Sequence, residues 1–314
     1  MAQPSPAPFS TYDAIGNRED LSNVIYMISP TNTPFMSGID KSTADATLHE
    51  WQTDALAAAA DNAVIEGDDA TTDVATATTR LTNYTQISDK VPRVTGTQEV
   101  VNKAGRRSEM AYQIAKRSKE LKRDIETGLL KDSAKVAGND STARESAGLP
   151  TWIATNDSFG SGGASPTGDG SDTRTGGTDR AFTEALLKTV LQGCYNSGGD
   201  PDCILPNAHN KQIFSTFTGN ATRNIGAQDR ELVATVDIYE SDFGTLEVIP
   251  ERFGVSTDVP VVQKDMWAFC TLRPFRLVDL ARDGDSERKQ LIVEWTLESR
   301  QEAASGIVGD CLDS

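Results

Sequence analysis

The chain has little histidine, cysteine or aromatic residue, and each shortage closes off a class of function. Only His49 and His209 occur in 314 residues, so a hydrolytic triad has almost no base to draw on. Cys203 lies six residues before His209, but a thiol and an imidazole at that spacing are more often neighbours by chance than a nucleophile pair. The same scarcity of ligands disfavours zinc. The four cysteines, Cys194, Cys203, Cys270 and Cys311, make no Cys-x-x-Cys pair and no disulfide framework, and read as small apolar fillers. No Gly-x4-Gly-Lys-Ser/Thr loop offers a phosphate cradle. Asp68-Asp69 and the acids from Asp169 to Asp172 lack the spacing and closing Glu of a calcium loop. The expectation is a protein with no catalytic residue, no cofactor and no metal, hence not an enzyme.

Charge and length exclude further. Acids outnumber bases 46 to 30, a formal charge of −16, and such a surface repels nucleic acid, so sequence-specific DNA reading is disfavoured. Solubility is explanation enough for the acidity. No run of eighteen apolar residues is present, so no helix is expected to cross a membrane. Met1 to Phe9 lacks the charged-then-apolar pattern of an export signal, which points to manufacture in a cytoplasm. With 37% apolar and 6% aromatic residues, the interior should be modest for a chain long enough to make two domains.

What is there is organised unevenly. Asp20 to Ile28 suits a short helix, and the prolines of Ser29-Pro30-Thr31-Asn32-Thr33-Pro34-Phe35-Met36 suggest an extended arm after it. Thr47 to Asp54 and Arg80 to Lys90 alternate like strands. The Ala, Thr, Asp and Gly between them cannot bury a core, so the pair reads as a long hairpin with an acidic tip. A lone hairpin is marginal in water and should lean on something else, most economically a neighbouring subunit.

From Thr97 to Gly138 a single helix is expected, with Val100, Ala104, Ala111, Ile114, Leu121, Ile125 and Leu129 on one stripe. About 38 residues would make a rod of roughly 57 Å, capped by Thr97 and stopped by Gly138. Gly128 would be its weak point, costing about 1 kcal/mol against Ala. Ten basic residues against six acids leave it near +4. Either this is a solvated face laced with pairs such as Glu120 and Asp124 against Lys116 and Lys119, or it meets acidic neighbours or packaged genome.

Residues 155–179 are mostly Gly, Ser, Thr and Asp and read as a flexible loop or junction. Phe182 to Tyr195 reads as a helix. Short strands follow around Cys203–Leu205, Leu232–Ala234, Thr245–Ile249 and Val261-Val262. Two long strands, Phe275–Leu280 and Gln290–Glu302, flank Arg282-Asp283-Gly284-Asp285, where Asp-Gly marks a hairpin turn.

These pieces, in this order, resemble the major capsid proteins of tailed bacteriophages with the Hong Kong 97 fold, nearest the branch typified by the podophage SU-ten. The matching stretches are Thr95-Gly96-Thr97-Gln98-Glu99, Ala147-Gly148-Leu149-Pro150-Thr151-Trp152-Ile153, Asp242-Phe243-Gly244, Lys264-Asp265-Met266-Trp267-Ala268, Leu272-Arg273-Pro274-Phe275 and Glu294 to Ala304. The similarity spans about residues 20 to 310. The resemblance implies an α+β fold with an N-terminal arm (1–46), an extended E-loop hairpin (47–92) and a peripheral domain built on a long spine helix (93–154). A flexible loop (155–180), an axial domain (181–268) and a C-terminal hairpin that returns to the peripheral domain, with its tail (269–314), would follow.

The resemblance also implies a function through packing. Copies would form hexamers and pentamers, each E-loop lying across a neighbour's spine helix, in an icosahedral shell around double-stranded DNA held without sequence specificity. Glu50, Trp51 and Arg80 would dock against Lys116, Arg117 and Lys119 of the next subunit. Scaffolding, cement, portal and maturation protease would be separate partners. Ser42 to Thr79 contains no lysine, so the E-loop cross-link of some members cannot form. The alternatives are an encapsulin-like compartment shell, an acidic adhesin lacking its export signal, or an acidic cytoplasmic enzyme lacking a convergent site.

Overall fold

The computed structural model describes residues 29–69, 74–217 and 238–313; the helix expected at 20–28 and the strand at 232–234 lie outside them. The extended arm ends sooner than expected, because Pro34 opens helix α1 (Pro34–Gly38) instead of forbidding one. At the first helical position its missing N–H would have no partner anyway. Strand β1 (Asp40–Thr43) follows, then β2 (Leu48–Thr53) and β3 (Thr79–Tyr84), which pair antiparallel as the expected hairpin. The single strand expected over 80–90 is broken at Thr85. Beyond it, β4 (Gln86–Lys90) and β5 (Arg93–Thr95) leave the hairpin for a larger sheet.

The 57 Å helix does not form. In its place stand α2 (Gly96–Val100), a non-helical joint, and α3 (Glu109–Leu130), whose 22 residues span about 33 Å. The joint follows the β-branched pair Val100-Val101 and holds Gly105 at φ 74, a conformation that costs glycine nothing. Two side chains stitch the gap. Lys103 Nζ donates to the carbonyls of Gln98 and Glu99, ending α2. Glu99 accepts from the Glu109 and Met110 amides, and Ser108 caps α3 through the Ala111 amide. Thr95, not Thr97, caps α2. Gly138, expected as the helix stop, sits at φ 72 in a turn between bridged Val136 and Glu145. Gly128 is no weak point either. A Cβ there would lie 3.0 Å from the Trp295 ring, so glycine is what lets the sheet reach the helix backbone.

The second half supplies β6 (Asp157–Ser158), α4 (Glu184–Asn196), β7 (Cys203–Ile204), α5 (Ala208–Phe214), β8 (Ile238–Ser241), β9 (Gly244–Val248) and β10 (Val259–Val262). The long strands β11 (Trp267–Leu280) and β12 (Ser286–Ser299) and the short β13 (Gly306–Val308) complete it. One sheet runs β1-β11-β12-β4, with β5 also on β12, and is antiparallel except for β1 against β11. The other runs β6-β13-β10-β7-β9-β8. The C-terminal residues expected as a tail therefore enter the second sheet through β13.

Two cores share that second sheet. Cys203, Leu205, Val262 and Ile307 face α3 and the three buried indoles Trp152, Trp267 and Trp295. Their alternates Ile204, Val261 and Val308 face α4 and α5. Strands buried on both faces must read as unbroken apolar runs, as Val259–Val262 does. The buried indoles are thus concentrated where the sheets meet α3.

The Gly-rich stretch, expected as a flexible loop or junction, is tied to the body by buried charge. Arg174 reaches Asp258 at 2.7 Å and Asp310 at 2.8 Å, all three side chains buried, and its guanidinium lies over Phe159. The Gly160 amide donates to the other Asp310 oxygen, and a side chain on Gly163 or Gly177 would collide with Asp310. Asp258 is pushed up to about 6 by burial, with Arg174 opposing. Burial acts on Asp310 too, but hydrogen bonds from Arg174 and the Gly160 and Gly177 amides hold it below the usual carboxylate range.

Candidate assembly interface

The hairpin has a built root and a bare arm. At the root, the Trp51 indole donates to the Ser299 carbonyl and its ring lies 5.3 Å from that of Trp152. Asn83 is fully buried. Its amide donates to the Leu297 carbonyl and Ser146, and its oxygen accepts from the Ala147 amide. Thr85, at the break between β3 and β4, donates to Glu294, a buried carboxylate also held by Arg144 and Arg273. Lys135 Nζ donates to the Thr82 carbonyl. A buried ionic network of this kind is costly to break, since one lost partner leaves an uncompensated charge. The support expected from a neighbour is, for the root, supplied by the chain itself.

Beyond Thr53 and Thr79 nothing comparable exists among the described residues. Every described residue from 54 to 78 is exposed. Among them are Leu56, Val64, Ile65 and Val74, each at least 70% exposed. Scattered apolar side chains on a surface are ordinary, but here four lie on one excursion. Within the alanine- and threonine-rich letters they were the available signal, and the charge-based reading missed them.

The six residues singled out from the sequence fall into three groups. Glu50 and Arg80 face outward and pair with each other at 3.5 Å, a surface pair worth well under 1 kcal/mol. Trp51 is committed to its own body, as above. Lys116, Arg117 and Lys119 lie on α3, where Arg117 pairs with Glu120. Lys116 and Lys119 find no carboxylate among the described residues, and with Arg123 they border a groove closed by residues 29–31. The helix pairs expected for Asp124 do not form, because Asp124 binds Lys90 of β4 at 2.5 Å. Among the described residues the hairpin group and the helix group do not pair within one chain.

Other buried acids escaped the sequence reading. Glu126 accepts from the Phe35 and Met36 amides at 2.7 and 2.8 Å, fixing α1 on α3. Burial, with the neighbouring Glu251 carboxyl, pushes it up to about 8, so it keeps its proton near neutrality. His49, Cys270 and Glu298 also converge, although 221 and 28 residues separate them in sequence. The Cys203 thiol is buried and pushed up to about 12 by that burial.

Comparison with known proteins bears on this geometry. The family described as SU10 major capsid protein matches residues 8–311. The major capsid protein of Escherichia phage Phieco32 is 28% identical over 341 residues, which cover 97% of each chain. Among solved structures, the cyanophage A-1(L) capsid asymmetric unit superposes with a TM-score of 0.67 at 14% identity, covering 96% of this chain and 98% of that one. The capsid of a native GTA particle gives 0.65 at 11%, with 96% and 98% covered. The structure from Gordonia phage Cozz gives 0.63 at 11%, with 100% and 99% covered. At such identities the structural likeness speaks for the fold alone.

Proposed function

The chain belongs to the SU10 major capsid protein family, and on that premise we propose that it closes a phage head by laying the arm of each hairpin across helix α3 of the next subunit. Its role is structural, as a shell-forming subunit of the virion. In this reading the sheet containing β11 and β12, with α3 as its spine, is the peripheral domain. The sheet containing β7 and β10, with α4 and α5, is the axial domain around which hexamers and pentamers gather. The hairpin is the E-loop.

The observation that carries the reading is the bare arm. Residues 54–69 hold Asp54, Asp61, Glu66, Asp68 and Asp69 and no base, while α3 presents Lys116, Lys119 and Lys122 without carboxylate partners among the described residues. Acid laid on base steers and registers two surfaces more than it strengthens them, while Leu56, Val64 and Ile65 supply apolar area once covered. Glu50 and Arg80 would sit at the edge of that contact with Arg117, and Trp51 would set the angle from which the arm departs. With no lysine between Ser42 and Thr79, the contact is noncovalent. Assembly in the host cytoplasm, double-stranded DNA inside, and separate scaffolding, cement, portal and protease proteins complete the proposal.

The test is charge reversal. Lys116→Glu with Lys119→Glu should leave a folded chain that forms no closed shells by negative-stain microscopy. Asp61→Lys with Glu66→Lys in the arm should restore part of the yield. Unchanged shells from the helix variant would overturn the docking.

A further inference from the structure

We propose that the root of the hairpin is a binding site for a divalent cation of the zinc class, held by His49 Nε2, Cys270 Sγ and Glu298 Oε2. The site stands without the docking reading above.

Three elements deliver the ligands. Ala268 of β11 lies opposite Glu298 of β12, and Cys270 lies opposite Thr296, so Cys270 and Glu298 are diagonal neighbours on one face of the sheet. That face is turned away from the tryptophan core; Ala44, Ala268 and Cys270 form a small separate apolar cluster there. His49, on β2, closes over it from the hairpin. Its Nε2 is 2.9 Å from Glu298 Oε2, and the Cys270 thiol is 3.1 Å from the same oxygen. All three ligand atoms lie within 4.8 Å of one another. Around a tetrahedral zinc with ordinary bond lengths, ligand atoms stand roughly 3.3–3.6 Å apart. Shifts of a few tenths of an ångström at the two short separations would admit the ion.

The donor set selects the metal. Imidazole nitrogen, thiolate sulfur and carboxylate oxygen together suit zinc, whereas magnesium and calcium prefer oxygen alone. The charges also balance, since one carboxylate and one thiolate neutralise a divalent ion, and a buried site demands that balance. Without the ion, burial and Glu298 hold the Cys270 thiol protonated, donating to Glu298. Uptake of the cation breaks the S–H bond, forms the metal–sulfur bond and releases one proton to solvent. Arg300 lies 3.4 Å from Glu298 Oε1, which orients the carboxylate with Oε2 towards the site. His49 and Glu298 keep only 14% and 13% of their side-chain surface exposed, so bulk water competes poorly. Among the described residues, no other group of three His, Cys, Asp or Glu side chains converges in this way.

An ion here would tie β2 to β11 and β12 and so fix the direction in which the arm leaves the body. The purified full-length chain, equilibrated with zinc(II) alone and then passed into metal-free buffer, should retain one zinc per chain by elemental mass spectrometry. Cobalt(II) in its place should show a thiolate-to-metal charge-transfer band. Cys270→Ser should abolish the band, and both it and His49→Gln should lower zinc affinity at least tenfold. His49→Gln can still hydrogen-bond Glu298, so its metal-free melting temperature should match the parent and separate ligand loss from misfolding. Zinc retention equal in parent and Cys270→Ser, or cobalt bound without a sulfur band, would overturn the proposal.

Discussion

Residues 54–78 and 155–179 are both written largely in small and acidic letters, the first rich in Ala and the second in Gly, and neither holds enough apolar bulk for a core of its own. The second stretch is welded into the protein. One guanidinium, Arg174, lies between two buried carboxylates, and its glycines let backbone pass where a side chain would strike Asp310 or Thr178. The first stretch has no basic residue, every one of its described residues is exposed, and its described part is held only near the root, where the Thr78 hydroxyl donates to Gln52. Low complexity therefore states that a segment cannot make a core of its own. Whether it is absorbed by another core depends on a few residues able to answer buried charge.

The difference can be broken at Arg174. Arg174→Ala leaves Asp258 and Asp310 buried without their cation, and should destabilise the chain by about 3–5 kcal/mol, read as a large fall in the midpoint of denaturant unfolding. An effect under 1 kcal/mol would mean the loop is held by its backbone contacts alone.

Glu126 shows what a buried acid does where, among the described residues, no cation pairs with it directly, and so sharpens the contrast. Its proton is retained up to about pH 8 in the fold, against an ordinary value of 4.5 when unfolded. The folded chain thus binds the extra proton between those limits, and stability should decline as pH rises through that window, by at most about 1.4 kcal/mol per pH unit. Glu126→Gln should flatten that slope in unfolding measured from pH 5 to 8. An unaltered slope would place the titration elsewhere.

The smallest effect belongs to the arm. Leu56→Ser with Ile65→Ser should change the stability of the isolated chain by less than about 0.5 kcal/mol, since neither side chain is covered. The same pair should sharply reduce shell yield. A loss of stability in the isolated chain would mean that the arm rests on its own body.

The hairpins were legible in the sequence because they are local. Alternation gave β2 and β3, and Asp283-Gly284 gave the turn between β11 and β12, with Gly284 at φ 65. Helix α4 came from its own periodicity. The break between α2 and α3 was hidden because an apolar stripe continues through it numerically. What interrupts the helix is Gly105 and the capping by Glu99 and Ser108, which an apolar periodicity does not register. The root network was invisible for another reason. Thr85 and Glu294 are 209 residues apart, and His49 and Glu298 are 249 apart, distances across which no local pattern carries information.

Strand β12 links the sheet to both the hairpin root and the start of the split helix. Near one end, Ser286 pairs with Thr95, where α2 begins; in its middle Glu294 holds the bend at Thr85; at the other end Glu298 and Ser299 receive His49 and Trp51. It is the keel of the subunit. One strand thus joins the root from which the arm departs to the residue that caps the first piece of the split helix, so a shift of either end has a covalent path to the other.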